Sequence, residues 1–177
     1  MIHIRIPFRE DKNLGKAYND EFELCPDDDW ICFIDHDVLF LTPDAILIME
    51  EYVRTYPRTA LFCCRANRIH PLAVYQLIDP SPSGNSNFEY WMERAYNLKK
   101  ELPKVTPIRH EVSGFLMLIS KQTWNEIKFV ESGRALGVDN EYCWRLLDAG
   151  KTILRMDALL VWHSYRFKDI KDKSHLS

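Results

Sequence analysis

With 177 residues, 46% of them hydrophobic, the chain can bury one ordinary core, and its length argues for a single domain over 1–166 with a polar tail over 167–177. A net charge of -3, with acidic and basic residues interleaved, leaves no electrostatic footprint for nucleic acid, so any phosphate must be held by a local site or a metal. No run of about eighteen apolar residues occurs and the start, MIHIRI, has no long apolar signal region, which predicts a cytoplasmic protein without a transmembrane segment.

The five cysteines, Cys25, Cys32, Cys63, Cys64 and Cys143, sit mostly in apolar runs without Cys-x-x-Cys spacing. That pattern predicts reduced core residues in a reducing compartment rather than a disulfide framework or structural zinc.

In chain order, Ile2, Ile4 and Ile6 alternate with polar residues and stop at Pro7, the pattern of a short strand. Leu14, Ala17, Tyr18, Phe22 and Cys25 then fall at helical spacing, and Pro26-Asp27-Asp28-Asp29 makes a polar turn. A strand follows through Trp30-Ile31-Cys32-Phe33-Ile34 and runs into Asp35-His36-Asp37. Thr42-Pro43 predicts a capped helix with Ile46, Met49 and Val53 on its apolar stripe, ending near Tyr56-Pro57, before a strand over 60–64.

The segment 79–87, DPSPSGNSN, has loop composition and is the expected mobile element. Residues 88–102 predict an amphipathic helix with Trp91, Ala95 and Leu98 on one face, broken by Pro103 and Pro107. Trp91 could border a cleft or simply dock its helix. A buried strand is expected over 112–119, then a helix from near Lys121, and Gly114 within that strand suggests a close approach to the backbone. After the connection 133–137, Asp139 could cap a helix carrying Tyr142, Cys143, Leu146 and Leu147 that ends at Gly150. Two short strands over 152–156 and 159–162 complete the alternation of an α/β fold, and the tail is expected to fray.

Alternate strand residues share a side, so Asp35 and Asp37 project together where their strand leaves the sheet. Ligands collect at that edge of parallel α/β sheets, and two hard oxygen donors there suit Mg²⁺ or Mn²⁺ bridged to a diphosphate. Taken alone, Asp-x-Asp is equally what a polar turn after a core strand looks like.

Five segments in order, Asn13-Leu14-Gly15-Lys16-Ala17-Tyr18-Asn19, Asp35-His36-Asp37, Ser113-Gly114-Phe115-Leu116-Met117, Val138-Asp139-Asn140-Glu141-Tyr142-Cys143-Trp144-Arg145 and Val161-Trp162-His163, resemble glycosyltransferase family 2 and related enzymes of the GT-A fold. The resemblance implies a GT-A (Rossmann-like), mostly parallel sheet flanked by helices. It also implies a nucleotide-sugar donor, UDP- or GDP-linked, and a glycan or other hydroxyl acceptor. In its terms Asp35, Asp37 and His163 hold Mn²⁺ or Mg²⁺, Asp139 stands in the place of the catalytic base, and Asn13, Gly15, Lys16 and Asn19 lie along the donor site. Pro7, Arg9, Asp35 and Gly114 join that donor-binding set. Family members usually carry a longer nucleotide-binding half before the Asp-x-Asp strand. The fold is accordingly expected to be shortened at its N-terminus, with a partner protein or second copy as one way to complete the site.

The implied chemistry is a single displacement with inversion, in which a divalent ion stabilises the leaving diphosphate and a carboxylate takes the acceptor proton. Other readings of the same residues stay open. Asp139 serves equally as a helix cap, His163 as a satisfied histidine at a strand end, Lys16 as a surface charge, and Glu141 with Arg145 as a pair across one helical turn. Arg65 and Arg68 could contact phosphate or simply lie at the surface. The strand ending in Asp-x-Asp also resembles the first motif of haloacid-dehalogenase-like phosphohydrolases, and a non-catalytic GT-A-like binding protein would share the same shape.

Overall fold

The computed structural model describes residues 1–69, 71–78 and 87–164, so all but Asn87 of the loop expected over 79–87, and the tail over 167–177, lie outside the described residues. Seven strands form one open sheet: β1 (Ile2–Arg5), β2 (Trp30–Ile34), β3 (Val38–Phe40), β4 (Leu61–Ala66), β5 (Val105–Ile108), β6 (Leu116–Ser120) and β7 (Ile153–His163). Five helices flank it: α1 (Leu14–Glu23), α2 (Ala45–Thr55), α3 (Phe88–Leu98), α4 (Lys121–Glu126) and α5 (Val138–Asp148).

The spatial order is β1-β2-β6-β4-β7-β3, with β5 also pairing β7. Only β1 with β2 and β4 with β7 run parallel; the other pairs are antiparallel, so the sheet is mixed rather than mostly parallel. β6 enters between β2 and β4 pointing the opposite way, and β3 and β5 run against β7. Burial of β2 and β6 on both faces makes each a continuous apolar run, and such a run carries no sign of strand direction.

The two faces bury separate clusters. α2 covers Cys32, Ile34, Phe62, Cys64 and Met156 on one side, while α1, α4 and α5 cover Ile31, Phe33, Cys63, Met117 and Ile119 on the other. All five cysteines are free and buried within this framework. None of the described helices is long and apolar enough to cross a membrane.

Several elements differ from their expected form. α2 is capped at Asp44 rather than at Thr42, and its buried face is Ala45, Ile48, Met49 and Tyr52; Ile46 is left 43% exposed. The helix expected over 88–102 tightens after Leu98 into a short 3₁₀ turn, Lys99–Glu101, and Pro107 lies inside β5. The expected pair of closing strands is one strand, β7, whose register against β4 jumps between Cys64 opposite Met156 and Arg65 opposite Leu160.

That bulge is stable because its polar groups find partners elsewhere. The Asp157 carboxylate accepts from Arg155 at 2.7 Å and Thr106 at 2.8 Å, Asp157 N–H donates to Lys104 O at 3.2 Å, and Ala158 N–H donates to the Tyr52 hydroxyl at 2.8 Å. The bulge lets β7 continue to His163, opposite Val38 of β3.

α1 sits against the segment before α5 so closely that a Cβ on Gly15 would lie 2.1 Å from the Val130 carbonyl oxygen. Alanine would otherwise favour the helix by about 1 kcal/mol. A rigid backbone contact that short outweighs this gain, so Gly15→Ala is expected to destabilise by about 1–3 kcal/mol in chemical denaturation. A neutral or stabilising result would show that this packing yields.

Candidate active site

Four elements end at one edge of the sheet. Because β1 and β2 are parallel, Pro7 follows the same edge that Asp35 leaves; because β6 is antiparallel to β2, its entry at Gly114 and Phe115 falls there too. Asp35 N–H donates to Phe115 O at 3.0 Å, and Asp35 O accepts from Val38 N–H at 3.1 Å, closing the turn that brings Asp37 back beside Asp35. β3 then pairs with the end of β7, setting His163 against that turn.

Asp35, Asp37 and His163 each offer one ligand atom within 4.8 Å of the others. The His163 ring is fixed from three sides. It stacks on Phe115 at 5.0 Å between centroids, its backbone N–H donates to the Asn67 side chain at 2.6 Å, and Nδ1 lies 3.0 Å from Arg68 O. A carbonyl oxygen can only accept, so Nδ1 carries the hydrogen. In the neutral ring Nε2 therefore presents a lone pair, and it faces Asp37 Oδ1 at 3.4 Å. Two acceptors in that position require a proton or a cation between them.

The carboxylates differ in their electrostatics. Burial pushes Asp35 up, and despite the opposing pull of His163, the negative charges of Asp37 and Asp139 add to that rise. Burial also acts to raise Asp37, but the hydrogen bond and charge of His163, with help from His36, hold it below the usual carboxylate range. Burial raises Asp139 as well, against the backbone N–H groups of Gly114 and Asn140. A cluster of carboxylates facing one imidazole has an excess of negative charge, which a divalent ion would relieve. Oxygen donors suit Mg²⁺ or Mn²⁺, and the imidazole nitrogen favours Mn²⁺ of the two.

Asp139 does not cap α5. Gly137 does so, at φ 77°, a left-handed conformation that suits glycine, and Asp139 lies one residue inside the helix. Its Oδ2 accepts Gly114 N–H at 2.7 Å, and a Cβ on Gly114 would stand 2.8 Å from the Asp139 Cβ. The close approach suggested for Gly114 is thus the Asp139 side chain.

The expected donor-side residues divide. Asn13 caps α1, accepting Lys16 N–H at 3.2 Å. Gly15 packs on Val130, and the buried Asn19 amide is used internally: it donates to Phe129 O at 3.0 Å and accepts from Trp124 Nε1 at 2.9 Å and Phe129 N–H at 3.1 Å. Pro7, Arg9 and Lys16 keep partly open surface. Arg9 pairs with Asp11 and Asp20, and Lys16 shares Asp20 at 2.8 Å. Glu141 and Arg145 pair across a turn at 3.5 Å.

Some residues at this edge carried no signal of it in the sequence. Tyr18 reads as part of a helical stripe, yet it is held between Phe33 at 4.6 Å and Phe129 at 4.5 Å; burial, then the charges of Asp35 and Asp139, hold its phenol well above its ordinary range. Asn67 and Gln76 act through hydrogen bonds to backbone far away in sequence, which no local pattern reveals.

No model of a protein family matches this chain, and no curated protein matches it either.

Proposed function

We propose that the chain is a metal-dependent glycosyltransferase that moves a sugar from a UDP- or GDP-linked donor to an acceptor hydroxyl with inversion. The observation that carries this reading is the convergence of Asp35, Asp37 and His163 at one sheet edge, with Nε2 facing an Asp37 carboxylate oxygen across a gap that a proton or a cation would bridge. The resemblance in the five ordered motifs, two of which contain these three residues, supports the same reading.

Asp35, Asp37 and His163 would hold Mn²⁺ or Mg²⁺, and the bound ion would stabilise the negative charge that develops on the departing diphosphate. The chain's own residues do the rest. Arg68 O and Phe115 orient the imidazole so that Nε2 points inward. Asp139, buried and oriented by Gly114 N–H, is the base that takes the acceptor hydroxyl proton. Arg9 and Lys16, in the expected donor-binding segment that follows β1, would meet the donor's diphosphate in competition with Asp11 and Asp20.

The test is thermal stability with UDP, GDP, CMP and dTDP, each with and without Mn²⁺, followed by product analysis with the sugar donor of the base that binds. Stabilisation by one diphosphate only in the presence of Mn²⁺, and an inverted product anomer, are the expected results. Phosphate release from simple phosphomonoesters would overturn the reading in favour of a phosphohydrolase. Absence of any metal-dependent response would leave a non-catalytic binding protein.

A further inference from the structure

The segment between β4 and the site is closed on itself: Ala66 bridges Leu77, and Ile78 N–H donates to Ala66 O at 3.3 Å. From this closed loop come three contacts to the site. Asn67 accepts the His163 N–H, Arg68 O accepts the His163 Nδ1–H, and Gln76 grips the backbone of Ser113. The third is the unusual one. Gln76 is fully buried, its Oε1 accepts Ser113 N–H at 2.8 Å and its Nε2 donates to Ser113 O at 3.4 Å, so one side chain engages both polar groups of one residue as a neighbouring strand would.

Ser113 precedes Gly114, whose N–H holds the Asp139 carboxylate, and Gly114 precedes Phe115, which receives the Asp35 N–H and stacks on His163. β6 begins at Leu116 and the bond from Asp35 N–H to Phe115 O carries its pairing one residue further, so Ser113 and Gly114 lie beyond the strand ladder. The ladder therefore does not set the position of Gly114 N–H. Gly114 also has no room to shift toward Asp139, because the two side-chain and backbone surfaces already touch.

We infer that Gln76 is a positioning residue: by gripping Ser113 it fixes the Gly114 N–H that orients Asp139, and so couples the loop that holds His163 to the proposed base. This inference rests on the reading of Asp139 as base for its kinetic consequence, but its structural core does not. The side chain is a buried amide whose hydrogen bonds, among the described residues, all go to one backbone unit, and replacing it with an apolar group removes both bonds from the part-buried Ser113 backbone.

The experiment compares the intact wild-type chain with Gln76→Leu and Gln76→Glu. Glutamic acid keeps an acceptor for Ser113 N–H and, when protonated, a donor for its carbonyl. Three quantities are read: amide hydrogen exchange at Gly114 by NMR, Mn²⁺ affinity by electron paramagnetic resonance, and turnover of the nucleotide-sugar that the wild type accepts. The expected result for Gln76→Leu is Gly114 exchange at least about tenfold faster and kcat at least about tenfold lower, with donor KM and Mn²⁺ affinity within about twofold of wild type. Gln76→Glu is expected to recover most of both.

Unchanged Gly114 protection in Gln76→Leu overturns the inference, as does equal loss in both variants, because glutamic acid keeps the acceptor for Ser113 N–H. If Gln76→Leu does not fold, Gln76→Met, an unbranched side chain of similar length without either bond to Ser113, takes its place. Its Gly114 exchange then speeds as expected for Gln76→Leu if the grip on Ser113 matters, and stays near wild type if the side chain only fills space. A wild type that turns over no nucleotide-sugar defeats the proposed function, while the Gly114 exchange comparison still decides the positioning role.

Discussion

Asp37→Ala is expected to abolish the Mn²⁺-dependent stabilisation by nucleoside diphosphate while leaving the apo chain folded. At a ligand concentration about 100-fold above Kd, binding to the folded state alone stabilises by about 2.7 kcal/mol, which for a chain of this size is about 5–10 °C in Tm. That whole shift should vanish, because Asp37 carries the carboxylate facing His163 Nε2. The apo protein responds differently. Removing Asp37 loses its bond with His163 but also takes one negative charge away from the buried Asp35, whose carboxyl that charge helps to push up. These effects oppose each other, so the apo Tm should change little.

An ordinary structural ion pair gives the reverse pattern: a lower apo Tm and no difference in ligand response. That outcome in calorimetry would remove the metal site from the reading. His163→Ala is a poorer probe, since it also empties the stack on Phe115 and removes the Nδ1–H bond to Arg68 O.

What the sequence revealed and what it hid separate along a physical line. Strand β2 is legible in the apolar run before Asp35, and the glycine at 114 is legible as a point of close approach because a missing Cβ is itself a local fact; Asp35 and Asp37, by contrast, meet through a turn closed by Val38 N–H and not through strand parity. The sequence of β7 reads as two strands because its interruption at Asp157 is held together by Tyr52, Lys104 and Thr106, each about fifty residues away or more in the chain. The direction of β6 was hidden because a strand buried on both faces has the same composition read either way. Of the stripe expected on α2, Met49 is buried and Val53 packs on the core while Ile46 turns outward, because Ala45 and Tyr52, which share the buried face, are weaker apolar signals than Ile46. The donor-side motif mixed two kinds of residue: Gly15 and Asn19 serve packing and internal hydrogen bonds, whereas Arg9 and Lys16 remain at the surface.

Asp139→Asn is expected to lower turnover by about 10²- to 10⁴-fold without weakening metal-dependent donor binding. The substitution is nearly isosteric, and the amide oxygen still accepts Gly114 N–H, so the geometry is kept and only the ability to take a proton is lost. Burial holds the Asp139 carboxyl above the usual carboxylate range, which places the acid limb of the wild-type pH–rate profile above that range too, with activity rising as Asp139 loses its proton. The same shift has a sign for stability. A carboxyl raised in the folded state binds its proton where the unfolded chain has already released it. The stability it contributes is therefore complete below the ordinary carboxylate value and is lost as pH rises through the raised one. Asparagine stays neutral throughout, so at neutral pH Asp139→Asn should unfold at higher denaturant than wild type, and at low pH the two should converge. A more stable but slow enzyme is the signature of a buried charge kept for chemistry. Turnover within about threefold of wild type, together with unchanged stability at neutral pH, would reduce Asp139 to a support for Gly114 and send the search for the base elsewhere along the same sheet edge.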